Sequence, residues 1–361
     1  MNILHVFTSL TEDTGNFDRL KKMNVKFPQY VLSCDKQNLS PFSLPNFYRT
    51  SYFNFPKIEC FKNYFFNKAT IKCFDKNLSQ VNFDLIHSYF AYPNASAGQE
   101  LSKKLNIPHI ITVRGSDVLI YPQQNSYLKN KISEILQNAH LVICLSQHLI
   151  HACEKLGVDK AKMVHLPEGH DEKVFYYDEK LKKEDVILFA GNLISVKNPF
   201  QLLRAFEILA KNNLSISLRI AGSGILKNAM QDFINQKKLN DRIEFIGQIS
   251  AHTLADHMRR AKLLVLPSLS EGWPNVIQES LACGTPIVAS RVGGIPEIIT
   301  AGENGFFCDQ FSATDIADQL KKALDHPWEL SKIQQIPMLY TREKIILKIL
   351  NLYQEVITKG I

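Results

Sequence analysis

Two carboxylates stand eight residues apart, Glu271 and Glu279, in the stretch 267–299 around the start of one predicted helix. Acids at that spacing suit a ligand rich in hydroxyls, because an ionised carboxylate accepts several hydrogen bonds and donates none. The residues around them say what else the ligand carries. An apolar run, Leu263 to Leu266, predicts a strand that enters a polar, Gly-containing loop, and Pro274 stands where a first helical turn tolerates a missing N–H. Gly284 ends the helix. Pro286 to Ser290 predicts the next strand, closing at Gly293-Gly294, and Pro296 predicts a further helix. This is a parallel βαβ unit. Its helix start near 274–276 offers unpaired N–H groups and the positive end of a helix dipole, which favour a phosphate. Glu279 falls about 7.5 Å along the helix axis, in reach of hydroxyls on the same ligand while Glu271 reaches another part of it. Phosphate and polyol together point to a nucleotide-sugar.

The elements that must hold these groups alternate between strand and helix along the whole chain, without repeats or low-complexity tracts. Strands are predicted at 2–8, 29–34, 83–88, 108–114 and 140–145, then at 186–191, 215–221, 243–246, 262–267 and 286–290. A chain of 361 residues exceeds the size at which one core keeps growing, so two domains are expected, parted by the polar stretch 172–185. Residues 341–357 place Ile345, Ile346, Ile349, Leu350, Tyr353, Val356 and other apolar side chains at the spacing of an amphipathic helix. Doubly wound α/β domains bind their ligands at the carboxyl ends of the strands.

With these residues in place the chain resembles family 4 of the retaining glycosyltransferases, the glycosyl transferases of group 1. The family's Glu-x7-Glu signature reads here as Glu271 and Glu279, followed by Ala282, Gly284, Pro286, Gly293-Gly294 and Glu297. The resemblance implies an α/β fold of the GT-B kind, with two Rossmann-like doubly wound domains facing a central cleft. Residues 1–175 would form the acceptor-binding domain, joined by a crossover helix at 341–361, and residues 176–340 the nucleotide-sugar-binding domain. Glu271 would contact the donor sugar and Glu279 the ribose hydroxyls. The backbone of Gly272, Trp273, Pro274, Asn275 and Val276 would hold the diphosphate. Phe189-Ala190-Gly191-Asn192-Leu193, followed by Lys197-Asn198-Pro199, is similar to the family's Gly-Arg-Leu…Lys-Gly segment. That assigns Lys197 to the diphosphate and puts Asn192 where the family has arginine, removing a bidentate cation from the leaving-group site. Gly222, and then Gly247, Gln248 and Ile249, are similar to the next two strand ends, the latter bordering the nucleobase.

In the first half, Val113-Arg114-Gly115-Ser116-Asp117-Val118 resembles the family's His-Gly-Ser-Asp motif with Arg114 replacing the histidine. Asp117 is thereby grouped with Glu271 and Lys197 as catalytic, although an aspartate there also suits a helix cap. Leu166-Pro167-Glu168-Gly169-His170-Asp171 resembles Pro-Asn-Gly-Val-Asp. Glu168 and His170, with Arg114 and with Gly15 of the first β–α loop at 8–16, are read as acceptor-side residues. His87 aligns with a strand-end histidine of the family and is read as structural. The reaction implied is transfer of a sugar, with retention, to a hydroxyl of a glycan or lipid-linked intermediate of bacterial surface polysaccharide. The chain has no Asp-x-Asp, so neither a metal nor a cofactor is expected. Asn192 and Arg114 keep open a non-catalytic nucleotide- or glycan-binding relative, and a nucleotide-sugar epimerase shares the architecture. A glycosidase also uses two acids but needs no phosphate site, and a dehydrogenase lacks its Gly-x-Gly-x-x-Gly here.

Net charge is +7, yet residues 19–131 alone hold 16 Lys and Arg against 6 Asp and Glu. Within them, residues 42–92 carry 15 aromatics, among them Phe53, Phe55, Phe61, Tyr64, Phe65 and Phe66. Such interleaving suits peripheral contact with an anionic membrane surface or a lipid-phosphate acceptor, and equally an aromatic core helix with solvated lysines. No nucleic-acid-binding motif accompanies it, so nucleic acid is not an expected partner. No window reaches the roughly 18 uninterrupted apolar residues of a membrane span, and Met1 to Phe7 reads as a strand, not a signal peptide. Seven scattered cysteines, none spaced as Cys-x-x-Cys, fit a reducing compartment. The expected place is the cytoplasm, the protein being soluble or peripheral at the inner face of the membrane.

Overall fold

The computed structural model describes residues 1–7, 15–24, 28–35, 46–51, 59–212 and 215–359. The chain divides into two compact units, Met1–Pro167 with Ile345–Ile361, and Glu168–Lys344. Each is a parallel sheet with helices on both faces.

The first unit holds β1 (Ile3–Phe7), β2 (Gln29–Asp35), β3 (Phe47–Ser51), β4 (Leu85–Tyr89), β5 (His109–Val113), β6 (Leu141–Cys144) and β7 (Met163–His165), in the order β3-β2-β1-β4-β5-β6-β7. All neighbours run parallel, which demands a crossover between consecutive strands and buries both faces. Leu4, Val6, Leu32 and Ile86 face one way, onto Phe66, Phe74 and Leu101 of the helices Glu59–Asn77 and Asn94–Leu105. Burying each such side chain contributes about 1.5–3 kcal/mol. Phe7 and Tyr89 face the other way, their rings stacked at 4.4 Å.

That second face also carries histidines. His5 and His87 lie opposite each other in register on β1 and β4. His5 Nε2 bonds Gln29 Oε1 at 2.6 Å, and His87 bonds the hydroxyls of Thr112 at 2.7 Å and Tyr353 at 2.5 Å. Tyr353 comes from the helix Arg342–Lys359, so this polar contact docks the C-terminal segment on the first sheet. On the opposite face His109 Nε2 bonds Ser88 Oγ at 2.8 Å. Burial holds His5 and His109 down at about 3 and His87 well below its ordinary value near 6.5. Lowered values mean that the unfolded chain takes up protons first as pH falls, so the contribution of these histidines to stability is full above about pH 6.5 and is lost below it. The expected slope is up to about 1.4 kcal/mol per pH unit per histidine. Urea unfolding at pH 7.5, 6 and 5 checks this, and a level midpoint would contradict it.

The helix Glu59–Asn77 resolves the two readings of the basic aromatic stretch into two faces. Phe66 and Phe74 are core, whereas Phe61 and Tyr64 are 50% and 56% exposed, with Lys68 Nζ 5.7 Å from the centre of the Tyr64 ring. Phe53 and Phe55 lie outside the described residues. Among the described residues no helix is long and apolar enough to cross a membrane.

The second unit holds β8 (Glu184–Ala190), β9 (Ser217–Ala221), β10 (Ile243–Gly247), β11 (Ala261–Leu266), β12 (Ile287–Ser290) and β13 (Gly305–Cys308), ordered β10-β9-β8-β11-β12-β13. This is the doubly wound order with its switch point between β8 and β11, where ligands of such sheets bind. Three strands were not expected from sequence: β3, β7 and β13. All three are sheet edges, where one partner suffices and a short or half-exposed run needs no long apolar signal. Pro296, expected to open a helix, sits instead in a three-residue 3₁₀ turn, Ile295–Glu297.

Residues 168–171 are tied to 340–342. The His170 N–H donates to Tyr340 O at 3.2 Å, the Arg342 N–H donates to His170 O at 2.8 Å, and Arg342 Nη1 bonds Asp171 Oδ2 at 2.6 Å. A Cβ on Gly169 would lie 2.7 Å from Thr341 O, so only glycine lets these backbones meet. That pairing sets the junction at Pro167–Glu168.

Candidate functional site

Two loops meet at the switch point of the second sheet. The first leaves β8 through Gly191 and the exposed Asn192, is anchored by buried Leu193, and turns through a 3₁₀ segment, Ser195–Lys197. Asn198 takes the left-handed conformation at φ 54°, and Pro199 then opens the helix Pro199–Asn212. The second loop leaves β11 and carries Ser268 to Pro274 into the helix Asn275–Ala282. The N–H of Leu269 donates to Val196 O at 2.8 Å, which ties the two loops together.

Lys197 and Glu271 meet there. Lys197 Nζ donates to Glu271 Oε1 at 2.6 Å, with the side chains 21% and 8% exposed. Ser268 Oγ donates to the same oxygen at 2.6 Å, and Ser290 Oγ, at the end of β12, donates to Ser268 O at 2.5 Å. Gly293 supports the loop from beyond β12. Its φ is +56°, and a Cβ there would fall 1.7 Å from Glu271 O. Glu271 is thus fixed from β8, β11 and β12 together. Ser268 and Ser290 were not singled out from sequence, although Ser268 stands three residues before Glu271, the Ser-x-x-Glu spacing at which the two side chains meet a shared turn.

The helix after this loop begins without a side-chain cap, since Pro274 supplies none. The N–H groups of a helical first turn have no partner within the helix, and they attract anions. Glu168 and His170, expected on the acceptor side, lie in the second unit. Asn275 Nδ2 donates to Glu168 Oε2 at 3.0 Å. With its amide turned to satisfy both neighbours, Gln278 donates to Glu168 O at 2.8 Å and accepts from Trp273 Nε1 at 3.0 Å. Glu168 therefore steadies the start of the helix. Trp273 packs edge-on against Tyr340 with ring centres 5.9 Å apart, which braces the turn into the helix.

Glu279 projects from the second turn of this helix. Burial pushes its carboxyl up to about 7; Arg342 pulls it down and Glu168 pushes it further up. A raised value means that the folded form keeps a proton the unfolded chain releases, so ionising Glu279 lowers stability as pH rises from about 4.5 to about 7. The stability of Glu279→Gln relative to the native protein should therefore grow across that window, by up to about 2 kcal/mol, and then level off. Paired denaturant titrations at pH 5, 6, 7 and 8 test this; a constant difference would contradict it.

Two further strand ends, those of β9 and β10, line up beside the first loop. The Gly191 N–H donates to Ala221 O at 3.0 Å and the Gly222 N–H to Gly247 O at 2.7 Å. Gly222 has φ +136°, and a Cβ on it would lie 2.0 Å from Gly191 O, so the neighbouring strand ends touch only because it is glycine. Gly247 opens onto free space, with Gln248 exposed beside it and bonded by Ser223 Oγ at 3.4 Å. Ile249 follows, half-buried.

In the first unit, Asp117 is fully buried and accepts from three backbone N–H groups: Ala91 at 2.9 Å, Arg114 at 3.1 Å and Gly115 at 2.9 Å. It ties the ends of β4 and β5 to each other and does not act as the helix cap the sequence suggested, since it sits inside the helix Ser116–Leu119, whose N-cap is Gly115. Burial pushes its carboxyl up, opposed by those same N–H groups. The Arg114 guanidinium lies 5.9 Å from the centre of the Phe90 ring. Gly15 opens the helix Gly15–Asn24, and residues 8–14 of the loop before it lie outside the described residues.

Comparison with known proteins finds matches over most of the chain. The family described as glycosyl transferases group 1 matches residues 174–336, and that described as glycosyltransferase family 4 matches residues 30–174. An uncharacterized glycosyltransferase of Methanocaldococcus jannaschii is 27% identical over 313 residues, 84% of either chain. The structure of sucrose-phosphate synthase from Thermosynechococcus elongatus superposes with a TM-score of 0.80 at 18% identity, covering 99% of both chains. HepE of Anabaena, solved in complex with UDP-glucose, superposes with a TM-score of 0.77 at 16% identity, covering 98% of this chain and 100% of that one. Two parallel doubly wound sheets, the acid pair on its βαβ unit and two adjoining family matches lead to one conclusion: the chain belongs to the group 1, family 4 glycosyltransferases and has their GT-B fold.

Proposed function

We propose that this glycosyltransferase moves a sugar from a nucleotide-sugar donor to a hydroxyl of a glycan or lipid-linked acceptor, with retention at the anomeric carbon. The observation that carries the reading is the Lys197–Glu271 pair at 2.6 Å, held at a sheet switch point beside an uncapped helix start. HepE, similar in fold, was solved with UDP-glucose. Donor diphosphate seated on the first turn of Asn275–Ala282 would draw Lys197 toward phosphate and free Glu271 to orient the sugar hydroxyls. Glu279 would take the ribose, Gly247 to Ile249 the base. Asn192 leaves one fewer cation at this site than the family pattern, so Lys197 carries more of the charge.

In the reaction the bond from the anomeric carbon to the diphosphate oxygen breaks, and the acceptor oxygen bonds the same carbon on the same face. The acceptor proton leaves to the departing phosphate. Lys197 and the helix start stabilise the charge that develops there, so turnover is expected to survive EDTA without a bridging metal. Arg114 and Asp117 belong to the acceptor half of this scheme, Asp117 by shaping the β4 and β5 ends. The exposed Phe61, Tyr64 and Lys68 fit peripheral contact with an anionic leaflet at the cytoplasmic face, where surface polysaccharide intermediates on lipid carriers would be met.

Purified protein incubated with a panel of nucleotide-sugars, first by thermal shift and then with acceptor and NMR of the product, tests the proposal. One donor should stabilise the fold more than its free nucleotide does, and the new linkage should keep the donor's anomeric configuration. An inverted linkage, or an isomerised sugar formed without acceptor, would defeat it.

A further inference from the structure

The opposite end of the second sheet, where its strands start, carries a cavity of its own. It occupies about 310 Å³ where β8, β11 and β12 begin, lined by Lys183, Lys262 and Pro286 just at those strand starts. Seven residues of β8 separate it from Gly191, about 20 Å at the rise of a strand, so it is no part of the Lys197–Glu271 site.

Its walls are largely apolar, and its charged groups are two lysines, with Tyr177 beside them. Trp328 spends its only donor, Nε1, on Ala323 O at 2.8 Å, and its ring is braced by His326 at 4.4 Å and Phe306 at 5.3 Å. What it offers the cavity is a fixed apolar surface, continued by Leu324 and Leu330. Of the two lysines, Lys262 is already paired with the Asp185 carboxylate. Lys183 is not: its Nζ donates to Thr285 Oγ1 at 2.5 Å, and that hydroxyl passes its own proton to Met258 O at 2.5 Å. Among the described residues no carboxylate bonds Lys183. Lys183 is exposed as a residue, but its ammonium, one of whose three donors goes to the buried Thr285 hydroxyl, is turned toward the sheet, and loss of water there draws it down to about 8.

We propose that this cavity binds a small carboxylate amphiphile, its carboxylate on Lys183 and its apolar body against Trp328, Leu324 and Leu330. The volume sits at the lower end of small-molecule sites, which suits one short chain or ring and leaves no room for a two-chain lipid. A carboxylate would pair with Lys183 through a charge-assisted hydrogen bond, and the chain removes the exposed apolar wall from water. The site is independent of the glycosyl-transfer reading and stands or falls apart from it.

Calorimetric titration of the full chain with octanoate, octanol and inorganic phosphate, each below any micelle-forming concentration, tests the inference. Octanoate should bind saturably at one site, at least about 10-fold tighter than octanol or phosphate, the factor one charge-assisted hydrogen bond provides. Lys183→Met should lose that preference for octanoate over octanol, and Lys183→Arg should keep it. No saturable octanoate binding, octanol or phosphate binding as well as octanoate, or an unchanged preference in Lys183→Met would each overturn the proposal. The three-ligand comparison on the native protein decides even if Lys183→Met folds poorly.

Discussion

Glu271→Gln should lower kcat by about 10²–10³-fold, the range seen when one preorganised electrostatic group is removed from a transition state. The amide keeps the size of the side chain and can still accept from Ser268 Oγ, now 2.6 Å from the carboxylate, so the loop stays in place. What goes is the negative charge that holds Lys197 at 2.6 Å. Without it Lys197 is released toward any bound phosphate. Donor KM should therefore stay level or fall while kcat collapses, a split that loss of simple donor binding would not produce. Losing one charged hydrogen bond at a partly exposed pair costs about 1–3 kcal/mol of stability, visible as a modest fall in Tm. Steady-state kinetics with thermal unfolding checks both, and near-normal kcat in a folded variant would remove Glu271 from the mechanism.

Gly293→Ala should be almost as damaging although residue 293 touches no substrate in this scheme. The added methyl would fall 1.7 Å from Glu271 O, far inside any real contact, and the neighbour is backbone with no freedom to swing aside. The loop bearing Glu271 has to move by roughly an ångström, a displacement that costs about 10²-fold in rate when it misplaces a reacting group. A left-handed φ of +56° adds about 1 kcal/mol of strain for alanine. Gly302→Ala separates the two effects. That residue has φ +82° and nothing within 4 Å of its missing Cβ, so it should lose stability and keep its kcat/KM. If Gly293→Ala matched Gly302→Ala in activity, the loop would not depend on that close approach.

The parts of this molecule legible in the sequence are those whose signal is local. Central strands such as β8 and β11 hold continuous apolar runs, at 186–190 and 263–266, because parallel sheets bury both faces, and they are readable on that ground. The edge strands β3, β7 and β13 lack that signal. Pro296 looked like a helix start because proline suits a first turn, but the 3₁₀ turn of Ile295–Glu297 ends before a second turn forms. At the site, the βαβ pattern exposed Glu271, Pro274 and Gly284 together. The pairing of Lys197 with Glu271, 74 residues apart, depends on which strands adjoin at the switch point, and no local pattern encodes that. Glu168 and His170 look like neighbours of the first unit along the chain, yet backbone pairing with 340–342 carries them into the second. Asp117 shows another limit: its buried carboxylate bonds backbone at the ends of both β4 and β5, a link between strands far apart in sequence that its local motif does not encode.

The direct measurement is calorimetric titration of uridine, guanosine and adenosine diphosphates into the native protein and Lys197→Ala. One diphosphate should bind the native protein saturably, and the variant should bind it roughly 10–100-fold more weakly, as expected for the loss of a charged hydrogen bond. Equal affinity in the two proteins, or no saturable binding to the native one, would contradict a diphosphate site at Lys197 and the Asn275–Ala282 helix start.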